Sequence, residues 1–259
     1  MKKESLAVRI WDVLYPLLMY YAVIVITMFL TQGVFGTESK YYMIRQIIAT
    51  LVAFPVVYVL FYRADVLLAK GFWRFSFRNL LSIIVIAACC GISLNNLLSM
   101  SPLIGMSEAF AKANEDFYAG PFLTQIIGSA ILTPILEELI YRAVIYTRLK
   151  RHLGVIPAVF LSALIFGLMH FNIVQFVYAF VLGIMLALFM EKSGHVYGAI
   201  VGHMTVNTIS VVRTETGILA GTVDGSAFAW VISSVILLAG AVLLYVYCRG
   251  VKRCGKCEK

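Results

Sequence analysis

The sequence predicts an all-α, polytopic integral membrane bundle of about eight transmembrane helices, with both termini cytoplasmic. Three observations predict it. The 259 residues are 61% hydrophobic, and mean hydropathy is +0.92. Only 13% are charged, whereas a soluble domain carries about a quarter. The charges are gathered between long charge-free runs, at 13–37, 46–62, 79–107, 117–136, 153–190, 193–212 and 225–248. A span needs ~20 apolar residues, and these runs supply them.

Taken in order, the runs give spans at about 13–34, 44–62, 80–98, 120–148, 154–171, 173–190, 194–212 and 226–247. The first is long enough to cross and lacks a small-residue cleavage site, so it reads as a retained helix rather than a signal peptide. The run 153–190 would be ~57 Å as one helix, about twice the hydrocarbon thickness. It is expected to fold back near Phe171-Asn172. Trp73, Phe75 and Phe77, interleaved with Arg74 and Arg78, read as an interfacial anchor. The 99–119 loop is expected to hold a short amphipathic helix on the outer face.

The net charge of +8 does not indicate nucleic-acid binding, because the basic residues sit at span ends rather than on one face. They crowd into the 63–79 and 148–152 connections and the C-terminal tail, whereas 99–119 is acidic. The positive-inside rule then places both termini in the cytoplasm. Five cysteines suggest no structural disulfide, since Cys248, Cys254 and Cys257 fall on that reducing side. Cys254 and Cys257 have the spacing of half a zinc site, but no second pair accompanies them.

Three divisions follow: 1–115, an N-terminal scaffold of three spans; 116–215, a core of four spans; and 216–259, the last span with its basic tail. Ionisable residues within spans concentrate in the core, where they are costly and mark function. Glu138 and Arg142 are four apart on a helix and within ion-pair reach. Glu137 is rotated from Glu138 by roughly 100° and faces another neighbour, as a general base would. His203 and Asn207 share a helix face and suit donors for a developing oxyanion. His170 is placed to share a water with Glu137. Tyr141, Asn95 and Asn96 read as interhelical contacts. Gly154, Gly183, Gly198 and Gly202 read as close-packing positions, and His152 and His195 as solvated interface residues.

At these residues the chain resembles the CPBP family of intramembrane proteases, which includes the CAAX prenyl endopeptidases and the Abi proteins of bacteriocin processing and self-immunity. Three motifs carry the resemblance: Glu137-Glu138-Leu-Ile-Tyr-Arg142, Phe166-Gly-Leu-Met-His170 and His203-Met-Thr-Val-Asn207. It covers about residues 120–212. The resemblance implies a membrane endopeptidase whose cavity is reached from the cytoplasmic side. It implies that Glu137 and His170 activate water and that His203 and Asn207 steady the oxyanion. Glu138, Arg142 and Phe166 would support them. No cofactor is expected; zinc held by Glu137, His170 and His203 is the alternative that the family's metalloprotease label leaves open. Partners would be the lipid bilayer and a membrane-associated peptide or protein substrate, with no nucleic acid. A proton-coupled transporter and a non-catalytic immunity or scaffold protein are the rival readings.

Overall fold

A computed structural model describes residues 5–63 and 76–250. The interfacial reading of Trp73 and Phe75 and the readings of Cys254 and Cys257 lie outside the described residues. The described chain is helical: α1 (Leu6–Phe35), α2 (Tyr42–Arg63), α3 (Phe77–Ser99), α4 (Glu108–Tyr118), α5 (Phe122–Leu153), α6 (Val155–Leu168), α7 (Ile173–Ser193), α8 (Val196–Thr216) and α9 (Ala227–Gly250). All but α4 correspond, in order, to the eight expected spans. By length and composition, six of the described helices are apolar enough to cross a membrane: α1, α2 with its preceding turn, α3, α5, α7 and α9. The other two depart for physical reasons. α6 has 14 residues, or ~21 Å, less than a ~30 Å hydrocarbon layer. α8 is long enough but carries His203, Asn207 and several hydroxyls on its interior turns.

Helix ends follow local chemistry. Ser5 caps α1 through the Val8 N–H. Asn172 caps α7 through the Gln175 N–H at 2.8 Å, and Gly194 closes α7 in the left-handed region. The fold-back therefore falls where expected, at Phe171 (φ 56) and Asn172. Gly154 corrects the close-packing expectation: it separates α5 from α6 at φ 84, with nothing within 4 Å of the place a Cβ would take. Gly183, Gly198 and Gly202 do sit against neighbours, with Cβ positions 3.0, 2.5 and 2.8 Å from other atoms. His195 is likewise not solvated; it is buried and caps α8.

α5 runs through the middle of the bundle, touching α1, α2, α6, α7 and α8. Every residue from Leu139 to Tyr146 is buried. α9 packs mainly on α3 and turns Val235, Leu238 and Val242 outward, as a lipid-facing helix does. The two ends of the bundle differ. One is tied by Asp12–Arg148 at 3.1 Å and Lys150–Glu191 at 2.6 Å. The other is tied by Gln125 to Glu215 at 2.8 Å, Asn96 to Arg213 at 2.7 Å, and Ser39 to Glu115 at 2.7 Å. Asn95 and Tyr141 make the expected interhelical contacts, to Ser210 and Tyr21.

Candidate active site

α5 is not a uniform helix. Ile126–Leu132 and Leu139–Tyr146 are π-helical and flank the six-residue α segment Thr133–Glu138. Short π segments often accompany functional sites. The sequence accounts for one of them. The Thr133 N–H bonds back to the Gly128 carbonyl. The next residue, Pro134, has no N–H to give the Ser129 carbonyl. Asn207 on α8 donates its Nδ2 to that carbonyl at 2.8 Å. The asparagine expected to face an oxyanion is thus also a splint between α8 and α5. Its second amide hydrogen is not used by this bond.

Glu138 and Arg142 are fully buried, and Arg142 Nη1 donates to Glu138 Oε1 at 2.9 Å. The same oxygen is 2.8 Å from His203 Nδ1. A carboxylate can only accept, so Nδ1 carries the hydrogen and Nε2 faces the other way. Nε2 lies 3.8 Å from Glu137 Oε2. The adjacent glutamates therefore divide as the sequence suggested: Glu138 is committed to the arginine and orients a histidine, while Glu137 is left toward the cavity. The sequence did not show that His203 is the residue gripped between them.

Phe166 organises the rest. Its ring meets His170 and His203 edge-on, at centroid distances of 5.0 and 5.7 Å, and Tyr141 at 4.9 Å. The Arg142 guanidinium lies 4.4 Å from the ring centroid, in cation–π range. His170 Nδ1 is 2.9 Å from the Phe166 carbonyl. Because a carbonyl only accepts, Nδ1 is the donor, and Nε2 of the neutral ring keeps its lone pair.

Glu137, His170, His203, Asn207 and Phe166 all line one cavity of about 420 Å³. Thr133 and Tyr21 are among the members that sequence reasoning missed. Thr133 lies four residues before Glu137, on the same face, and its buried hydroxyl has no hydrogen-bond partner among the described residues. That spacing was a readable signal. Tyr21 bonds Tyr141 at 2.9 Å and the Met169 carbonyl at 3.3 Å beside His170, and nothing local in the sequence points to it. The roof is α4, whose Phe110, Ala113 and Phe117 face inward with helical spacing. No lining residue comes from 148–154. The cavity thus belongs to the end of the bundle that carries the 99–119 loop. A cytoplasmic opening and an outer placement of that loop, both expected above, are incompatible.

Among the described residues, no three His, Cys, Asp or Glu side chains converge as a metal's ligands would. Glu137, His170 and His203 line one cavity but do not form such a set. The side chains present do not fit a zinc with three protein ligands.

A family profile described as type II CAAX prenyl endopeptidase Rce1-like matches residues 119–209, the segment that holds these side chains except Tyr21 and those of α4. Over that segment the chain is similar to the CAAX prenyl endopeptidases, which agrees with the CPBP resemblance of its three motifs. It is 30% identical over 87 residues to the Bacillus subtilis (strain 168) protein named "Putative membrane peptidase YdiL". That stretch is 34% of this chain and 36% of the relative, so the chain spans about a third of the relative's length in the match. No solved structure matches significantly. The matched segment starts just after α4 and ends within α8; α1–α4 and α9 lie outside it.

Proposed function

We propose that this protein is an intramembrane endopeptidase that hydrolyses an internal peptide bond of a membrane-associated peptide or protein. The observation that carries the reading is the pairing of Glu137 Oε2 with His203 Nε2 at 3.8 Å on a shared cavity, while Glu138 and Arg142 fix the histidine from behind. Glu137 takes a proton from water as its oxygen attacks the carbonyl carbon. His170 Nε2 accepts a hydrogen bond from the same water and aims it. His203 donates through Nε2 only in its imidazolium form, with its Nδ1–H on Glu138; that form and the free amide hydrogen of Asn207 donate to the oxygen that gains charge. Glu137 then returns its proton to the leaving nitrogen as the C–N bond breaks. The mechanism uses no metal.

Among the described residues the cavity lining includes no Lys or Arg. Nothing there would grip a terminal carboxylate, which supports cleavage within a chain rather than from its end. Tyr20, Tyr42, Phe117 and Tyr178 offer aromatic faces to a neutral segment. A transporter needs a path to both ends of the bundle, and this lining reaches one.

The test is comparison of new peptide termini, by mass spectrometry of membranes, between cells making the native chain and cells making Glu137→Gln. Removing a general base slows a reaction by about 10²–10⁴-fold, so the native-specific termini should vanish at equal protein level. Identical termini in both would refute the proposal and favour a non-catalytic immunity or scaffold role.

A further inference from the structure

The location of the cavity and the distribution of charge bear jointly on which side of the membrane supplies the substrate. Of the 21 Lys and Arg residues, Lys40, Arg45, Lys112 and Arg213 belong to the α4 end, and Arg142 is interior. The other sixteen belong to the opposite end of the helices or to the chain segments that leave it. Acidic residues split almost evenly, with Glu38, Glu108, Glu115, Asp116, Glu215 and Asp224 at the α4 end and five on the other side, so the α4 end is net negative and the other strongly net positive. Positive charge flanking spans is retained in the cytoplasm. A four-to-one excess of basic residues fixes the end bearing Arg148 and Lys150 as cytoplasmic.

The cavity lies at the other end. Leu98, Ser99, Ile104 and the inner face of α4 line it, as do Tyr42 and Gln46 in the first turns of α2. We infer that the site opens to the extracytoplasmic face, beneath α4, and that its substrates are neutral peptide segments presented at the outer leaflet. These are juxtamembrane stretches of exported or membrane-anchored chains. Cytoplasmic lipid-modified tails cannot reach it. The depth of His170 agrees. α6 starts at the basic end and runs only 14 residues, so its far tip stops inside the bundle, on the floor of a vestibule that α4 covers. Ser39 ties α4 to the α1–α2 connection, through Glu115 at 2.7 Å and Lys112 at 2.8 Å. The approach is thus polar and outward.

The side of the opening is independent of whether the site cleaves peptides; only the class of substrate rests on the proteolytic reading. Thr133→Cys, placed one turn before Glu137 in a background with the five native cysteines changed to Ala, puts a thiol in the cavity. Reference cysteines at Met106, on the α4 side, and at Leu153, on the basic side, are both exposed. A cationic, membrane-impermeant methanethiosulfonate should modify positions 133 and 106 in spheroplasts and position 153 only in inverted vesicles. Modification of position 133 only in inverted vesicles overturns the inference. So does a position 133 that reacts from neither face while both references react. Should the cysteine-free background fail to fold, an epitope inserted at Gly105 with cysteines intact gives the second readout. Antibody binding on spheroplasts supports the outer placement, and binding only after permeabilisation refutes it. A catalytically dead protein with an outward cavity would pass this test and fail the Glu137→Gln comparison, so the two failures are separable.

Discussion

Arg142 shows how far one side chain can be stretched across roles. Its guanidinium binds Glu138 at 2.9 Å, reaches the Gly183 carbonyl at 3.4 Å and lies over Phe166. Removing it by Arg142→Ala strands a buried carboxylate, and breaking a buried pair from one side costs about 3–5 kcal/mol. Replacing both partners with neutral groups of similar volume is far less harmful. The double change Glu138→Gln with Arg142→Met should therefore recover much of the thermal stability that Arg142→Ala loses. It should not recover hydrolysis, because His203 Nδ1 then loses the charged acceptor that sets its tautomer and direction. Thermal denaturation of the purified proteins beside a cleavage assay separates the two effects. Recovery of activity with stability would show that the pair is only structural.

Among the elements, α5 departs most from an ordinary helix, and the departure is held from α8. Asn207→Ala should cost about 1 kcal/mol through the lost bond to the Ser129 carbonyl. Pro134→Ala restores an N–H within reach of that carbonyl along the helix, so the same Asn207→Ala change should cost less in that background. Equal losses in both backgrounds, by thermal denaturation, would sink the splint. This is also where legibility in the sequence ended. Charge-free runs located the six helices long and apolar enough to cross a membrane, together with α6 and α8, because apolar length is a property of composition alone. The spacing Glu137-Glu138-x-x-x-Arg142 located the ion pair, because four residues define one face. The π register, the grip on His203 and the Tyr21–Tyr141 bond depend on which helices meet, and periodicity within one helix does not carry that. Gly154 was misread because a glycine at a helix break and one at a helix crossing look alike in a sequence. α4, expected as a surface helix, became a roof for the same reason. Its tether has a definite pH behaviour. Ser39 and Lys112 hold the Glu115 carboxyl below its ordinary value of 4.5. A group whose folded value is depressed stabilises above its unfolded value and stops doing so as pH falls through the folded one. Hydrogen exchange in α4 should therefore be insensitive to pH from neutrality down to the ordinary carboxylate range, once corrected for intrinsic rate, and should speed up only below it. Faster exchange already between pH 7 and pH 6 would contradict the tether.

At the scale of the whole molecule, the bundle divides into helices that build the site and helices that brace it. α5, α6, α7 and α8 hold the chemistry, and α1, α2 and α4 close the cavity. α9 meets the rest through α3, where a Cβ on Gly240 would come within 2.8 Å of Cys90 Sγ and 3.2 Å of Cys89 Cβ. Gly183 sits at the opposite kind of seam, with a Cβ position 3.0 Å from Ala163 and 3.2 Å from Arg142 Nη2. Both substitutions to alanine overpack a helix crossing, which costs about 1–3 kcal/mol. They should lower the aggregation temperature of the detergent-solubilised protein by similar amounts. Their effects on catalysis should part. Gly183→Ala pushes on the guanidinium that anchors Glu138, and so on His203, and should lower turnover per folded molecule. Gly240→Ala strains a seam that reaches the site mainly through the body of α3, and should leave turnover per folded molecule near the native level. If Gly240→Ala instead lost activity in step with Gly183→Ala, the brace and the site would be one mechanical unit, and the division drawn between them would have to be abandoned.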